Sequence, residues 1–233
     1  MRGNVNEASG TEDLQEPLPL PPLQPPGFAE ATPGEQASRL KPGRLVVISG
    51  PSGVGKSTIS QRVADRTGAM LSVSATTRGP RGREADRREY RFLDVPTFKG
   101  MIEQGQLLEW AEVFGHYYGT PAEPVESALK AGQTVILTID VQGGIQVAAK
   151  RPEAVGILIV PPSRQELRRR LAGRATEAAE ALEKRLCQAN KELAMARQSG
   201  AYRHEVMNDS LDAAVERVTA IVEQETQRHD RSA

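Results

Sequence analysis

The chain has 233 residues, with 30 Lys and Arg against 30 Asp and Glu. A balanced charge of this kind gives no reason to expect a nucleic-acid partner or attraction to an anionic membrane. No apolar run approaches the ~20 residues of a membrane helix, and the single cysteine, Cys187, excludes an intramolecular disulfide and suits a reducing, cytoplasmic compartment.

Residues 1–42 are acidic early and then proline-dense from Pro17 to Pro26, without helical or strand periodicity. Such a segment buries too little apolar surface to offset its ordering entropy, so a disordered tail with polyproline II character is expected. Its P-x-x-P spacings suit weak contact with a peptide-binding partner. It has neither the basic start and continuous apolar stretch of a secretory signal nor the acid-poor composition of a transit peptide.

Arg44 to Ser49 is a short β-branched run of the kind that forms a buried parallel strand, and Thr58 to Arg66 reads as a helix. Between them Gly50, Pro51, Ser52, Gly53, Val54, Gly55, Lys56 and Ser57 match G-x-x-x-x-G-K-[ST] at every constrained position. The glycines let the backbone curl so that successive N–H groups and the helix N-terminus, at Ser57 and Thr58, point at phosphate oxygens. This predicts an ATP-phosphate cradle in which Lys56 reaches the β- and γ-phosphates and the Ser57 hydroxyl is directed at Mg²⁺.

Farther along, Met70 to Ser74 predicts a short strand, followed by an arginine- and glycine-rich loop leading to Tyr90–Leu93 and a helix from about Pro96 to Glu103. Leu107 to Phe114 alternates imperfectly, as a strand would, and a helix after Gly119 ends near Ala131, with Gly132 as its stop. Thr134–Asp140 and Val155–Val160 read as further buried strands. A helix from about Ala178 to Ser199 carries Leu182, Leu186, Ala189, Leu193 and Ala196 on one packing stripe and ends at Gly200. Alternating strands and helices predict an α/β fold, a parallel sheet with helices on both faces and ligands at the carboxyl ends of its strands. Asp140, closing its strand, is placed either to direct Mg²⁺ or to cap the next helix, and the two roles are compatible. Arginines gather around Arg78–Arg91 and Arg164–Arg185. Two such clusters beside a phosphate loop suit a site that gathers several phosphates, whereas Arg164 and Arg168 read better as a solvated, salt-bridged helix face.

Ser74-Ala75-Thr76-Thr77-Arg78-Gly79-Pro80-Arg81, then Glu84, Tyr90, Glu109 and the run Tyr117-Tyr118-Gly119-Thr120, taken with the phosphate loop, closely resemble the guanylate kinases, from about Leu45 to Glu225. The resemblance implies a three-layer P-loop NTPase-type fold over about residues 43–229, with short tails at 1–42 and 230–233. It also implies a small mixed GMP-binding region near 75–126 and a helical lid near 168–190. It implies that Ser74, Arg78, Arg81, Tyr90 and Tyr118 bind the GMP phosphate and that Glu84 belongs to the GMP-binding residues. Two guanidiniums and tyrosyl hydroxyls make a dense donor array for a phosphate dianion. Glu109 matches the position that recognises guanine, where one carboxylate accepts from both N1–H and the 2-amino group, and Thr120 matches one that hydrogen-bonds the base.

Arg170, Arg174 and Arg185 match the lid arginines, which with Lys56 and Arg78 form the implied catalytic charge set. Asn208 matches a position close to the adenine of ATP, although an Asx turn or helix cap explains it nearly as well. Four positions depart from the family pattern: Arg83 and Arg87 stand where glycines are usual, Ala175 replaces a glycine, and Thr138 replaces an acid of the GMP pocket. The implied activity is Mg²⁺-dependent transfer from ATP to GMP, and to dGMP, in purine nucleotide metabolism. A non-catalytic phosphopeptide-binding module and a related kinase acting on a sugar phosphate are the alternatives.

Overall fold

The computed structural model describes residues 43–80, 86, 90–113, 115–172 and 179–232. The expectations for the N-terminal tail, for Arg81 and Glu84, and for Arg83, Arg87, Arg174 and Ala175 lie outside the described residues.

The β-branched run folds as β1 (Leu45–Ser49), buried along its whole length. It is the middle of a five-stranded, all-parallel sheet with β2 (Met70–Leu71) and β7 (Val135–Thr138) on one side and β8 (Val155–Val160) and β9 (His204–Met207) on the other, in the order β2-β7-β1-β8-β9. Because successive strand residues face opposite ways, β1 feeds two cores. Val46 and Ile48 pack with Ile59 and Val63 of α1 (Lys56–Thr67) and with Val215, Val218 and Val222 of α7 (Leu211–Ser232). Leu45 and Val47 pack with Val125 and Leu129 of α3 (Ala122–Lys130) and with Val147 of α4 (Val141–Lys150). The sheet therefore has helices on both faces. β1 leads by α1 to β2 on one side while β7 returns by α4 to β8 on the other, and a crevice for ligands opens at that change of direction.

A second sheet of four strands has the order β4-β3-β6-β5, with β3 (Ser74–Thr76), β4 (Tyr90–Phe92), β5 (Leu107–Val113) and β6 (His116–Pro121). It is mixed: β3 runs parallel to β4 and antiparallel to β6, which runs antiparallel to β5. Its apolar face closes on α2 (Val95–Glu103) through Phe98 and Met101. The single strand expected at Met70–Ser74 is two strands in two different sheets, because the chain leaves the large sheet after Leu71 and enters the small one at Ser74. The segment read as leading straight into a helix after Gly119 is instead β6 as far as Pro121, with the helix starting at Ala122. Pro121 is tolerated because it falls at the strand end.

The helix α5 (Arg164–Ala172) follows β8, and α6 (Ala179–Ser199) packs the expected stripe, with Leu186, Ala189 and Ala196 buried. The sequence reading did not identify β9, and α7 runs to Ser232, past the expected end of the domain at 229.

Candidate active site

The phosphate loop leaves β1 and turns directly into α1, so that Lys56, Ser57 and Thr58 make the first helical turn. Lys56 Nζ donates to the carbonyls of Gly50 (2.6 Å) and Pro51 (3.0 Å), which folds its side chain across the loop. Two glycines are required by their surroundings as well as by backbone angle. At Gly53 (φ 82°) a Cβ would lie 2.7 Å from Leu171 of α5, and at Gly55 (φ 101°) 2.5 Å from the side-chain nitrogen of Asn208. Asn208 is buried and donates to Val54 O at 2.8 Å. Its side-chain amide thus props the loop from behind, a role the sequence reading did not foresee.

Across from the loop lies a cavity of about 240 Å³ lined by Ser52, Gly53, Gly55, Lys56, Ser57 and Thr58 on one side and by Ser74, Tyr90, Glu109, Tyr118, Thr138 and Asp140 on the other. Residues that the sequence assigns to two different nucleotides thus share one chamber, whereas Gly50, Pro51, Val54, Arg78, Thr120, Arg170, Arg185 and Asn208 do not line it. Arg78 is buried, donates through Nε to Tyr118 Oη at 3.2 Å, and lies 5.4 Å from the centre of the Tyr90 ring. An edge-on contact between Tyr90 and Tyr118 completes the group, so a guanidinium and two phenols are held as one unit.

Glu109, 2% exposed, accepts a hydrogen bond from Thr120 Oγ1 at 2.6 Å. Burial pushes its carboxyl up to about 7 against that hydrogen bond, and the nearby Asp140 charge adds to the rise. Thr120 is fully buried, so its hydroxyl orients the carboxylate in addition to any contact with a base. The Thr138 hydroxyl is buried without a hydrogen-bond partner among the described residues while its residue lines the cavity, a polar atom suited to a ligand group.

Of the arginines expected in a lid, Arg185 donates to Ser52 Oγ at 3.0 Å, bringing α6 onto the phosphate loop. Arg170 is tied to Glu166 (2.7 Å) and to the carbonyl of Asn208 (2.9 Å). Hydrogen bonds from Arg169 and then Arg170 hold the Glu166 carboxyl down at about 2. Arg164 and Arg168 both pair with Glu183 on an exposed face, the salt-bridged arrangement expected of them.

Asp140 caps α4, its Oδ1 accepting from Gly143 N at 2.9 Å. That cap leaves the second carboxylate oxygen, which with Ser57 gives an all-oxygen pair on the same cavity, a donor set that suits a hard cation such as Mg²⁺. Below it, Ser49 Oγ donates to Asp140 O (3.1 Å) and Tyr202 Oη to Val141 O (3.1 Å). Glu192 of α6 is held above the ordinary carboxylate range by burial, with Lys56 and Asp140 near enough to act on its charge. Ser49, Tyr202 and Glu192 carry no motif, since each is polar in an otherwise ordinary packing segment and acquires its meaning only from the residues folded against it.

Residues 42–225 match the family model described as guanylate kinase. The chain is 50% identical over 183 residues to a guanylate kinase of Gloeobacter violaceus, an alignment spanning 78% of this chain and 88% of the relative. A guanylate kinase of Thermus thermophilus is 46% identical over 81% of this chain and 84% of its own. The crystal structure of the guanylate kinase from Anaplasma phagocytophilum superposes with a TM-score of 0.65 at 30% identity, covering 80% of this chain and 87% of that one. With a phosphate loop, a buried carboxylate and a pair of tyrosines converging on one cavity, and with these relatives, the chain belongs to the guanylate kinase family.

Proposed function

We propose that the phosphate loop holds ATP, that the chamber beside Glu109 holds GMP, and that the chain transfers the γ-phosphoryl group between them as an ATP:GMP phosphotransferase. dGMP serves as a second acceptor, and the setting is cytoplasmic purine nucleotide metabolism. No helix among the described residues is long and apolar enough to cross a membrane. The observation carrying the reading is the single cavity whose opposite walls are the loop (Ser52 to Thr58) and the acceptor group (Ser74, Tyr90, Glu109, Tyr118).

In the reaction a GMP phosphate oxygen attacks the γ-phosphorus in line, the bond from that phosphorus to the β-phosphate oxygen breaks, and ADP leaves with the electron pair. The attacking phosphate is already anionic, so no side chain has to remove a proton. Catalysis then rests on alignment and on stabilising charge spread over the transferring group. Lys56 and Arg185 approach from the donor side, and Arg78, fixed by Tyr118, from the acceptor side. Arg170 and Arg174 join when the lid closes, Arg81 adds charge at the acceptor's phosphate, and Glu84 belongs to the GMP-binding residues. Ser57 and Asp140 would hold Mg²⁺, which when bound would supply positive charge to the phosphates being exchanged. Glu109 reads guanine, and adenine offers no matching pair of donors.

The intact loop lysine and the contact between Arg185 and Ser52 favour catalysis over a phosphopeptide-binding role, and the buried carboxylate favours a guanine base over a sugar phosphate. A coupled assay of ATP turnover against GMP, dGMP, AMP and a sugar phosphate tests this. Turnover is expected with the two guanine nucleotides, and a faster reaction with AMP or the sugar phosphate would overturn the reading.

A further inference from the structure

β5, which carries Glu109, lies at the edge of the small sheet and, among the described residues, pairs only with β6. An edge strand leaves a row of backbone groups without ladder partners. Here that edge faces α4. Lys150 Nζ donates to Leu108 O at 2.6 Å, just before Glu109. Just after it, Gln146 makes a reciprocal pair with Trp110, its Nε2 donating to Trp110 O at 2.8 Å and its Oε1 accepting from Trp110 N at 3.3 Å. The Gln146 amide thus occupies the edge as one residue of a neighbouring strand would. One turn nearer the start of α4, the Cα of Gly143 lies so close to the Glu109 carboxylate that a Cβ there would overlap Oε2.

Positions 143, 146 and 150 are spaced three and four apart, which puts them on one face of the helix. That face grips the backbone on both sides of Glu109 and limits where its carboxylate can lie. The same helix is fixed in the large sheet's core through Val147 and is capped by Asp140. The helix behind the donor site therefore sets the position of the acceptor site's carboxylate.

We propose that Gln146 is a positioning residue for base recognition, holding β5 at the distance from α4 that aims the Glu109 carboxylate into the acceptor chamber. This rests on the reading of Glu109 as the reader of guanine. Side-chain bonds to a strand edge are easily lost without unfolding, whereas a carboxylate displaced by a fraction of an ångström no longer matches two donors at once.

The test is kinetic, with GMP and IMP as alternative acceptors, since IMP keeps N1–H and lacks the 2-amino group. Gln146→Met keeps the length of the side chain and removes both hydrogen bonds, Gln142→Met on an exposed position of α4 is the control, and Glu109→Gln tests the reader itself. Gln146→Met is expected to raise KM for GMP about tenfold and to reduce the preference for GMP over IMP by a similar factor, with KM for ATP within about twofold and Tm close to wild type. Gln142→Met is expected to change none of these. If Glu109→Gln erodes the preference and Gln146→Met does not, the positioning role is wrong and the reader stands. If Glu109→Gln leaves the preference intact, the reader itself is wrong and the proposal falls with it. A rise in both KM values together with a lower Tm would mean that Gln146 only supports the fold.

Discussion

Asn208 donates its side-chain amide to the carbonyl of Val54 at 2.8 Å, joining the end of β9 to the middle of the phosphate loop. The same residue's carbonyl accepts from Arg170 at 2.9 Å, so one buried asparagine connects the loop to α5. Asn208→Ala would leave Val54 O without its partner and open space behind Gly55. We expect a loss of about 1–3 kcal/mol of stability, the usual cost of orphaning a buried polar group, with a rise in KM for ATP larger than that for GMP. Thermal unfolding and the two KM values check this, and an unchanged KM for ATP would refute the propping role.

Lys56→Ala should abolish most activity while leaving the fold intact. The side chain is only part-buried and bonds to two loop carbonyls, so its removal disturbs little packing. Losing one transition-state charge contact typically costs about 3 to 4 kcal/mol, roughly 10² to 10³ in kcat. Near wild-type turnover in the purified variant would contradict the catalytic role.

The buried hydroxyl of Thr138, unpartnered among the described residues, stands in the cavity with Glu109 and Asp140. Glu109 should still supply most of the base discrimination, with GMP preferred over AMP by at least about a hundredfold, because adenine leaves the buried carboxylate unmatched. Glu109→Gln should erode that preference and Thr138→Asp should preserve or sharpen it. Acceptor profiles of the three proteins decide this, and equal rates with AMP and GMP in the unmodified chain would count against the assignment.

Glu109 also predicts a pH dependence. Only its ionised form accepts from both guanine donors, and burial raises its carboxyl from the ordinary 4.5 to about 7. Affinity for GMP should therefore fall as pH drops through about 7, and the thermal stabilisation given by GMP should be larger at pH 8 than at pH 6. For the protein without nucleotide the sign is opposite. A carboxyl raised on folding contributes stability that is full below 4.5 and is lost as pH rises through about 7. Both trends should disappear in Glu109→Gln, and a GMP affinity that is flat across pH 6–8 would rule out an ionisation at this site.

The phosphate loop is legible in sequence because its function demands particular residues at fixed spacing, with a β-branched strand before it and a helix after it. β1, β7 and β8 are legible for a related reason: a strand buried on both faces must be apolar throughout. β9 escaped notice because it is a short edge strand with only Val206 buried, and β6 because its glycine and proline suggest a turn. Asp140 was left between two roles by its sequence, and the fold shows that it caps α4 while still lining the cavity.

By itself the sequence determined the alternation of strands and helices, the loop that cradles phosphate, and which residues carry charge, since these depend on local periodicity and on chemistry at fixed separations. The tertiary structure alone decided how those residues act on one another. Glu109 becomes a carboxylate titrating near neutrality because distant segments bury it, and Thr120 becomes its hydrogen-bond donor because β5 and β6 pair in that register. Asn208 supports a loop 154 residues away, and Gln146 of α4 holds the edge of β5 36 residues before it. Contacts of this kind are set by how the sheets and helices pack, and no periodicity along the chain encodes them.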